Sequence, residues 1–270
     1  LFKEEEKSML RSTKELEHYQ IAARDGVFAQ VRDFYFDDAS WVVRYLVVDT
    51  GEPKAAHRVL LSPHAIIAAD WSAKAFHVAL TQEQVRRSAD VDAIKPVSEQ
   101  HEMGYFGYDA YGKHWGGGGL WGAGLYPDIL QAGLKTVERQ EANDDPHLRS
   151  ANTVARYYVH ASDGDIGHVS GFLLDEQTWA IRYVVVNTSN WWLGHEVIIA
   201  PEWIDDVDWA ENIVTVDLSR DAVKDSPAYT SDEPLDIEQE RLTHSHYGRD
   251  GYWPHAPSTG NVAHSTPPTP

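Results

Sequence analysis

Few side chains in this chain stand at a spacing that could do chemistry, and most that do stand there twice. His57 and His195 occupy equivalent places just before an apolar run, where a retained imidazole could serve as a ligand; no second ligand sits beside either at metal spacing. Glu202, Asp205, Asp206, Asp208 and Glu211 form an acidic group whose oxygens could hold Ca²⁺ or Mg²⁺, but they do not follow the EF-hand order of acids, Gly and terminal Glu. His244, His246 and His255 could bind a transition metal, although His-x-His alone is a weak signal. Asp70-Trp71 returns as Asp208-Trp209. Each Trp is a candidate contact residue, with the alternative that it seals one end of a small barrel. Trp191-Trp192 stands in a turn where the equivalent stretch has Pro53-Lys54, and a paired Trp of this kind is the best interface candidate. Nucleophile-elbow, dinucleotide and Walker patterns are missing, and His-Glu at 101–102 and 195–196 lacks the second His of a zinc protease. No catalytic residue, resident cofactor or metal site is therefore expected, and the chain reads as a non-enzyme.

These pairs exist because the chain contains itself twice. At an offset of 138 residues, Leu10–Ser88 matches Leu148–Ser226 without a gap, and roughly a third of the paired positions are identical. Leu10-Arg11-Ser12 returns as Leu148-Arg149-Ser150, Asp25-Gly26 as Asp163-Gly164, and Arg44-Tyr45 as Arg182-Tyr183. Each unit is long enough to bury its own core. Within the first, Ser12-Thr13-Lys14-Glu15 predicts a capping box for a helical turn, and Asp25-Gly26 predicts a tight turn. Strands are expected at Tyr19–Ala23, Val27–Phe36, Trp41–Val48 and Arg58–Leu61, with a last one carrying Phe76, Val78 and Leu80. Alternation places Phe28, Gln30, Arg32, Phe34 and Phe36 on one side of the second strand. Thr81–Val85 and Ser219–Val223 read as capped helical turns. The repeated Arg44 and Arg182 are each expected to pair with a carboxylate of their own unit.

Short strands separated by turns predict a small antiparallel barrel per unit, so the fold class is mainly all-β. The divisions are 9–112 for the first barrel, 113–147 for a Gly- and aromatic-rich linker, 148–243 for the second barrel, and 244–270 for a disordered His- and Pro-rich tail. Charge is uneven. The net charge is −19; residues 25–102 carry 12 acids and 8 bases, whereas 163–240 carry 18 acids and 3 bases. Such a field disfavours nucleic acid and favours a basic protein partner or a second copy of the chain. The chain has no Cys and no apolar run long enough to span a membrane, and its first residues do not resemble a signal peptide; a cytoplasmic protein is expected.

The opening LRSTKELEHYQIAARDGVFAQVRDFYFDD, the block WVVRYLVVDTG with its echo WAIRYVVVNTSNWWLGHEVIIAPEWI, and VTVDLSRDAVKDSP resemble the PRC-barrel family. That family includes the cytoplasmic barrel of the photosynthetic reaction-centre H subunit and the terminal barrel of a ribosomal-RNA maturation factor. The resemblance covers both units and implies two tandem barrels in a bacterial protein. It implies a scaffold role, with an assembly or regulatory task near photosynthetic or other electron-transport complexes as one alternative. The acidic residues, read as a loop, and the His-rich tail leave metal binding as another, on their own chemistry. Candidate interface residues are Trp71, Trp209, Asp205, Asp206, Trp191 and Trp192.

Overall fold

The structure is a computed structural model that describes residues 10–51, 57–91, 147–188, 195–230 and 235–253. The expected linker through 146 and the Trp191-Trp192 pair lie outside the described residues.

The fold is mainly β. The first unit supplies β1 (Leu10–Ser12), β2 (Gln20–Ala23), β3 (Gly26–Asp37), β4 (Val42–Asp49), β5 (Arg58–Leu61), β6 (Ile66–Asp70) and β7 (Ala75–Val78). The second supplies β8 (Leu148–Ser150), β9 (Tyr158–Ala161), β10 (Gly164–Asp175), β11 (Ile181–Asn187), β12 (Glu196–Ile199), β13 (Ile204–Asp208) and β14 (Ile213–Val216). Short helices α1 (Thr13–Leu16) and α2 (Gln82–Arg86) recur as α3 (Ala151–Val154) and α4 (Arg220–Lys224), and α5 (Ile237–His246) closes the described chain.

Two seven-stranded sheets result, ordered β5-β4-β3-β2-β7-β6 and β12-β11-β10-β9-β14-β13. Both are mixed, where purely antiparallel pairing was expected: β2 runs parallel to β7, and β9 parallel to β14. The cause is a 3-10 turn at Pro63–Ala65, repeated at Pro201–Trp203. Proline has no N–H to continue a ladder. The chain therefore leaves β5 and β12 at one edge and pairs β6 with β7, and β13 with β14, at the other. Among the described residues neither sheet closes on itself by hydrogen bonding.

The seventh strand of each sheet comes from the other unit. β1 pairs antiparallel with β10, Arg11 opposite Leu174, and β8 pairs with β3, Arg149 opposite Phe36. Where a short non-strand lead was expected, Leu-Arg-Ser is an exchanged strand. Next to the exchange, Val43 N–H donates to Trp179 O (2.9 Å) and Ile181 N–H donates to Trp41 O (2.7 Å), a reciprocal pair across a local two-fold relation. One large apolar cluster spans both units, drawing Phe34, Phe36, Leu46 and Phe76 from one and Phe172, Val184, Ile199 and Val214 from the other, and a small second cluster joins Tyr35, Val47 and Leu60 to Leu148. The units do not each close around a private core.

Three local expectations also change. In β3, register shifts between Val31 and Asp33 and again between Tyr35 and Phe36. Ala29 and Val31 face inward before the first bulge, Phe34 and Phe36 after it, and Arg32 is exposed, so the five-residue face does not exist. Ser12 makes no side-chain cap to α1, whereas Ser150 does cap α3. Residues 244–253, part of the tail expected to be disordered, are ordered, because α5 docks on the second sheet and buries His244; His255 lies outside the described residues. The Asp-Gly turns and the caps by Thr81 and Ser219 stand as expected.

Candidate functional site

The exchanged strands bring chemistry-bearing side chains together along the two-fold seam. Arg149, on β8, donates from Nε to Asp38 Oδ2 (2.7 Å) across the units, and His147 Nδ1 lies 2.8 Å from Asp38 Oδ1. Its guanidinium lies over the Trp209 ring, 4.2 Å from the centroid. The equivalent Arg11 donates to Glu176 (2.9 Å) and lies 3.7 Å over Trp71. This accounts for the repeated Asp-Trp pairs. Asp70 caps the turn through Ser72 Oγ and Ala73 N–H, and Asp208 does so through Ala210 and Glu211 N–H. Each Trp is half-buried under an Arg that crosses the seam.

Arg44 Nη1 pairs with Asp37 (3.5 Å) and Arg182 Nη2 with Asp175 (3.3 Å), each within its own unit as expected. The other oxygen of each Asp closes the turn that follows its long strand, accepting from Ala39 and Ser40, or from Gln177 and Thr178. His57 and His195 mark hairpin ends: their carbonyls accept from the hydroxyls of Thr50 (3.0 Å) and Thr188 (2.8 Å). His57 Nε2 also lies 3.4 Å from Asp90.

Between α1 and α3, a cleft of about 390 Å³ opens on the seam, lined in part by Thr13, Lys14, Glu17, Asn152, Arg156 and Ser170. Asp33 braces its wall, accepting from Ser150 Oγ (2.6 Å) and from Asn152 N–H (3.1 Å). Burial pushes the Asp33 carboxyl up, opposed by those hydrogen bonds. Glu17 is pushed up to about 7, first by burial, then by the nearby Asp33, with Lys14 pulling the other way. The hydroxyls here have structural partners. Ser170 Oγ lies 2.7 Å from Glu196 Oε1 and 3.3 Å from Val185 O, and Thr13 Oγ1 accepts from Phe172 N–H (3.2 Å). The cleft can hydrogen-bond a small polar group of either charge, and among the described residues none of its hydroxyls is paired with an imidazole.

Of the candidate interface residues, Asp205 and Asp206 are exposed on β13, an edge strand, where a solvated loop was expected: the chain after the 3-10 turn pairs with β14 instead. Their counterparts on the edge strand β6 are Ile67, 63% exposed, and the exposed Ala68. The seam thus unites Trp71 with Arg11 and Trp209 with Arg149, and leaves the acidic pair apart on a sheet edge. Among the described residues no group of three or more His, Asp or Glu is disposed to hold a metal ion, and no helix is long and apolar enough to cross a membrane.

Sequence reading passed over Arg11 and Arg149 as mere repeat markers, although their recurrence before a predicted turn was the available signal. It also passed over Glu17 and Asp33, which recur as Ala155 and Gly171 and so carried no repeat signal. The chain matches no family model and no curated protein.

Proposed function

We propose that this chain is a non-enzymatic assembly module: two PRC-like barrels locked into one body, presenting an acidic strand edge to a basic protein partner. The observation that carries this reading is the contrast between equivalent edges. β13 exposes Asp205, Asp206 and Asp208, where β6 offers Ile67, Ala68 and a half-buried Asp70. An edge strand has unpaired backbone groups that can accept a partner strand, and flanking carboxylates select a basic one while discouraging self-association. The barrel assignment draws support from the resemblance in sequence, from the bulges that let β3 and β10 bend, and from the 3-10 turns joining the two edges of each sheet. The commitment of the seam side chains to structural partners supports a binding role over a catalytic one.

The test is affinity capture from bacterial lysate with the intact chain and with a D205K/D206K variant, followed by titration of the identified partner over a salt series. A basic partner retained by the native chain and lost with the variant, with affinity falling as salt rises, is the expected outcome. Equal retention by both proteins would overturn the acidic-edge assignment.

A further inference from the structure

The C-terminal helix α5 is fastened to the second sheet by a polar cluster that is buried at Glu240, Tyr183 and His244 and bounded outside by the exposed Tyr252. Glu240 and His244 stand one turn apart on the same helix face and are only 1% and 5% exposed. Both meet the hydroxyl of Tyr183, a fully buried residue of β11: Glu240 Oε2 lies 3.1 Å away and His244 Nε2 2.9 Å. Tyr252 donates to the same carboxylate oxygen at 2.8 Å, and His244 Nδ1 lies 3.0 Å from Asp250 O. Trp203 and Trp253 enclose the imidazole, each ring 4.9 Å from it. The charged groups facing the cluster are Arg182, paired with Asp175 and lying 4.3 Å over the Tyr252 ring, and Glu202 on the 3-10 turn. The Arg249 side chain turns away to Asp217, while its backbone adds a hydrogen bond that favours a protonated imidazole.

Counting hydrogens decides the protonation state. Asp250 O can only accept, so His244 Nδ1 carries a hydrogen. A neutral imidazole then presents a bare Nε2 that needs a donor, and Tyr183 is the donor facing it. Tyr183 has one hydrogen, however, and also faces Glu240. Were the carboxylate ionised and the imidazole neutral, one of the two short contacts would set two acceptors against a single hydrogen in a closed interior. One added proton removes the conflict. On Glu240, it lets the acid donate to Tyr183, which donates to Nε2. On His244, it lets Nε2 donate to Tyr183, which donates to the carboxylate.

We propose that Glu240, Tyr183 and His244 form a one-proton site whose occupancy holds α5 on the second sheet, making the helix a latch that rising pH releases. Burial raises the Glu240 carboxyl and lowers the His244 imidazole, which agrees with the proton residing on Glu240. The sign follows from the ordinary values of the two groups. Between about pH 4.5 and 6.5 an undocked helix also carries one proton, on its His, and docking is indifferent to pH. Above about 6.5 the undocked helix carries none while the docked one keeps its proton. Docking then weakens about tenfold per pH unit.

Hydrogen exchange of the backbone amides of residues 237–246 in the intact chain, corrected for intrinsic exchange, measures the opening constant between pH 6.5 and 8.5. The expected rise is about 50-fold across that window, because the undocked His is still half protonated at its lower end. In Glu240→Gln the amide supplies a permanent donor to Tyr183, and the constant should become flat with pH. A flat constant or an opposite slope in the native chain, or an undiminished slope in Glu240→Gln, would overturn the proposal. Should Glu240→Gln leave the helix undocked at every pH, Tyr183→Phe decides. It removes the shared hydrogen, so loss of the slope supports the site and retention of the full slope overturns it.

Discussion

Gly167 holds its backbone at φ 145°, and a Cβ placed there would stand 2.0 Å from the carbonyl oxygen of Asn187. No side-chain movement relieves a clash with backbone, so Gly167→Ala must displace the end of β11, beside the bulge where β10 meets β9. The expected cost is about 2 kcal/mol or more, read as a lowered urea midpoint. Gly171, four residues along the same strand, is the control. Its added Cβ would meet Thr13 Oγ1 at an ordinary 3.5 Å, and Gly171→Ala should lie within about 0.5 kcal/mol of the native chain. At this scale sequence and structure part company over Arg32. The bulge there moves the inward-facing positions from Ala29 and Val31 to Phe34 and Phe36. A strict alternation cannot register an inserted residue, because the partner strand alone decides where two residues face one.

The exchanged strands β1 and β8 are three residues each, too short to hold a sheet edge by their ladders alone. Their arginines add the missing attachment, and the two sites differ in how far they are closed to water. Arg149 and Asp38 have side chains 8% and 7% exposed, against 10% and 17% for Arg11 and Glu176. Removing Arg149 leaves a buried carboxylate whose remaining side-chain partner among the described residues is His147, so Arg149→Ala should cost about 3 kcal/mol. Arg11→Ala should cost about 1–2 kcal/mol, because water reaches Glu176 more readily. Chemical denaturation of the two variants checks the order, and a larger loss at Arg11 would contradict it. The repeat made these strands visible as motifs, but their partners lie 165 and 111 residues away in the chain. No local pattern reports such a distance.

Over the whole molecule, reciprocal exchange and a shared apolar cluster tie the two units into one thermodynamic body. Such a body should unfold in one cooperative transition, with calorimetric and van't Hoff enthalpies equal. Two resolved transitions would show that the units stand independently. A protease site inserted within residues 113–119 should likewise leave the halves co-purifying after cleavage, since the seam does not depend on that connection. Under the proposed function, the exposed acidic edge at β13 is where a partner would bind, and under the proposed latch, docking of α5 would answer to pH.

Sequence alone determined the duplication, the strand-rich composition, the Asp-Gly turns and the pairing of Arg44 and Arg182 with acids nearby. All of these are recorded over short stretches or by direct self-comparison, where residue type and spacing carry the physics. Tertiary structure decided which unit each Leu-Arg-Ser strand joins, the parallel pairs beside the proline turns, the Glu17 cleft and the burial of His244 beneath its own helix. Each depends on groups distant in the chain competing for the same hydrogen bonds or the same closed space. That competition is settled only when the whole chain is packed.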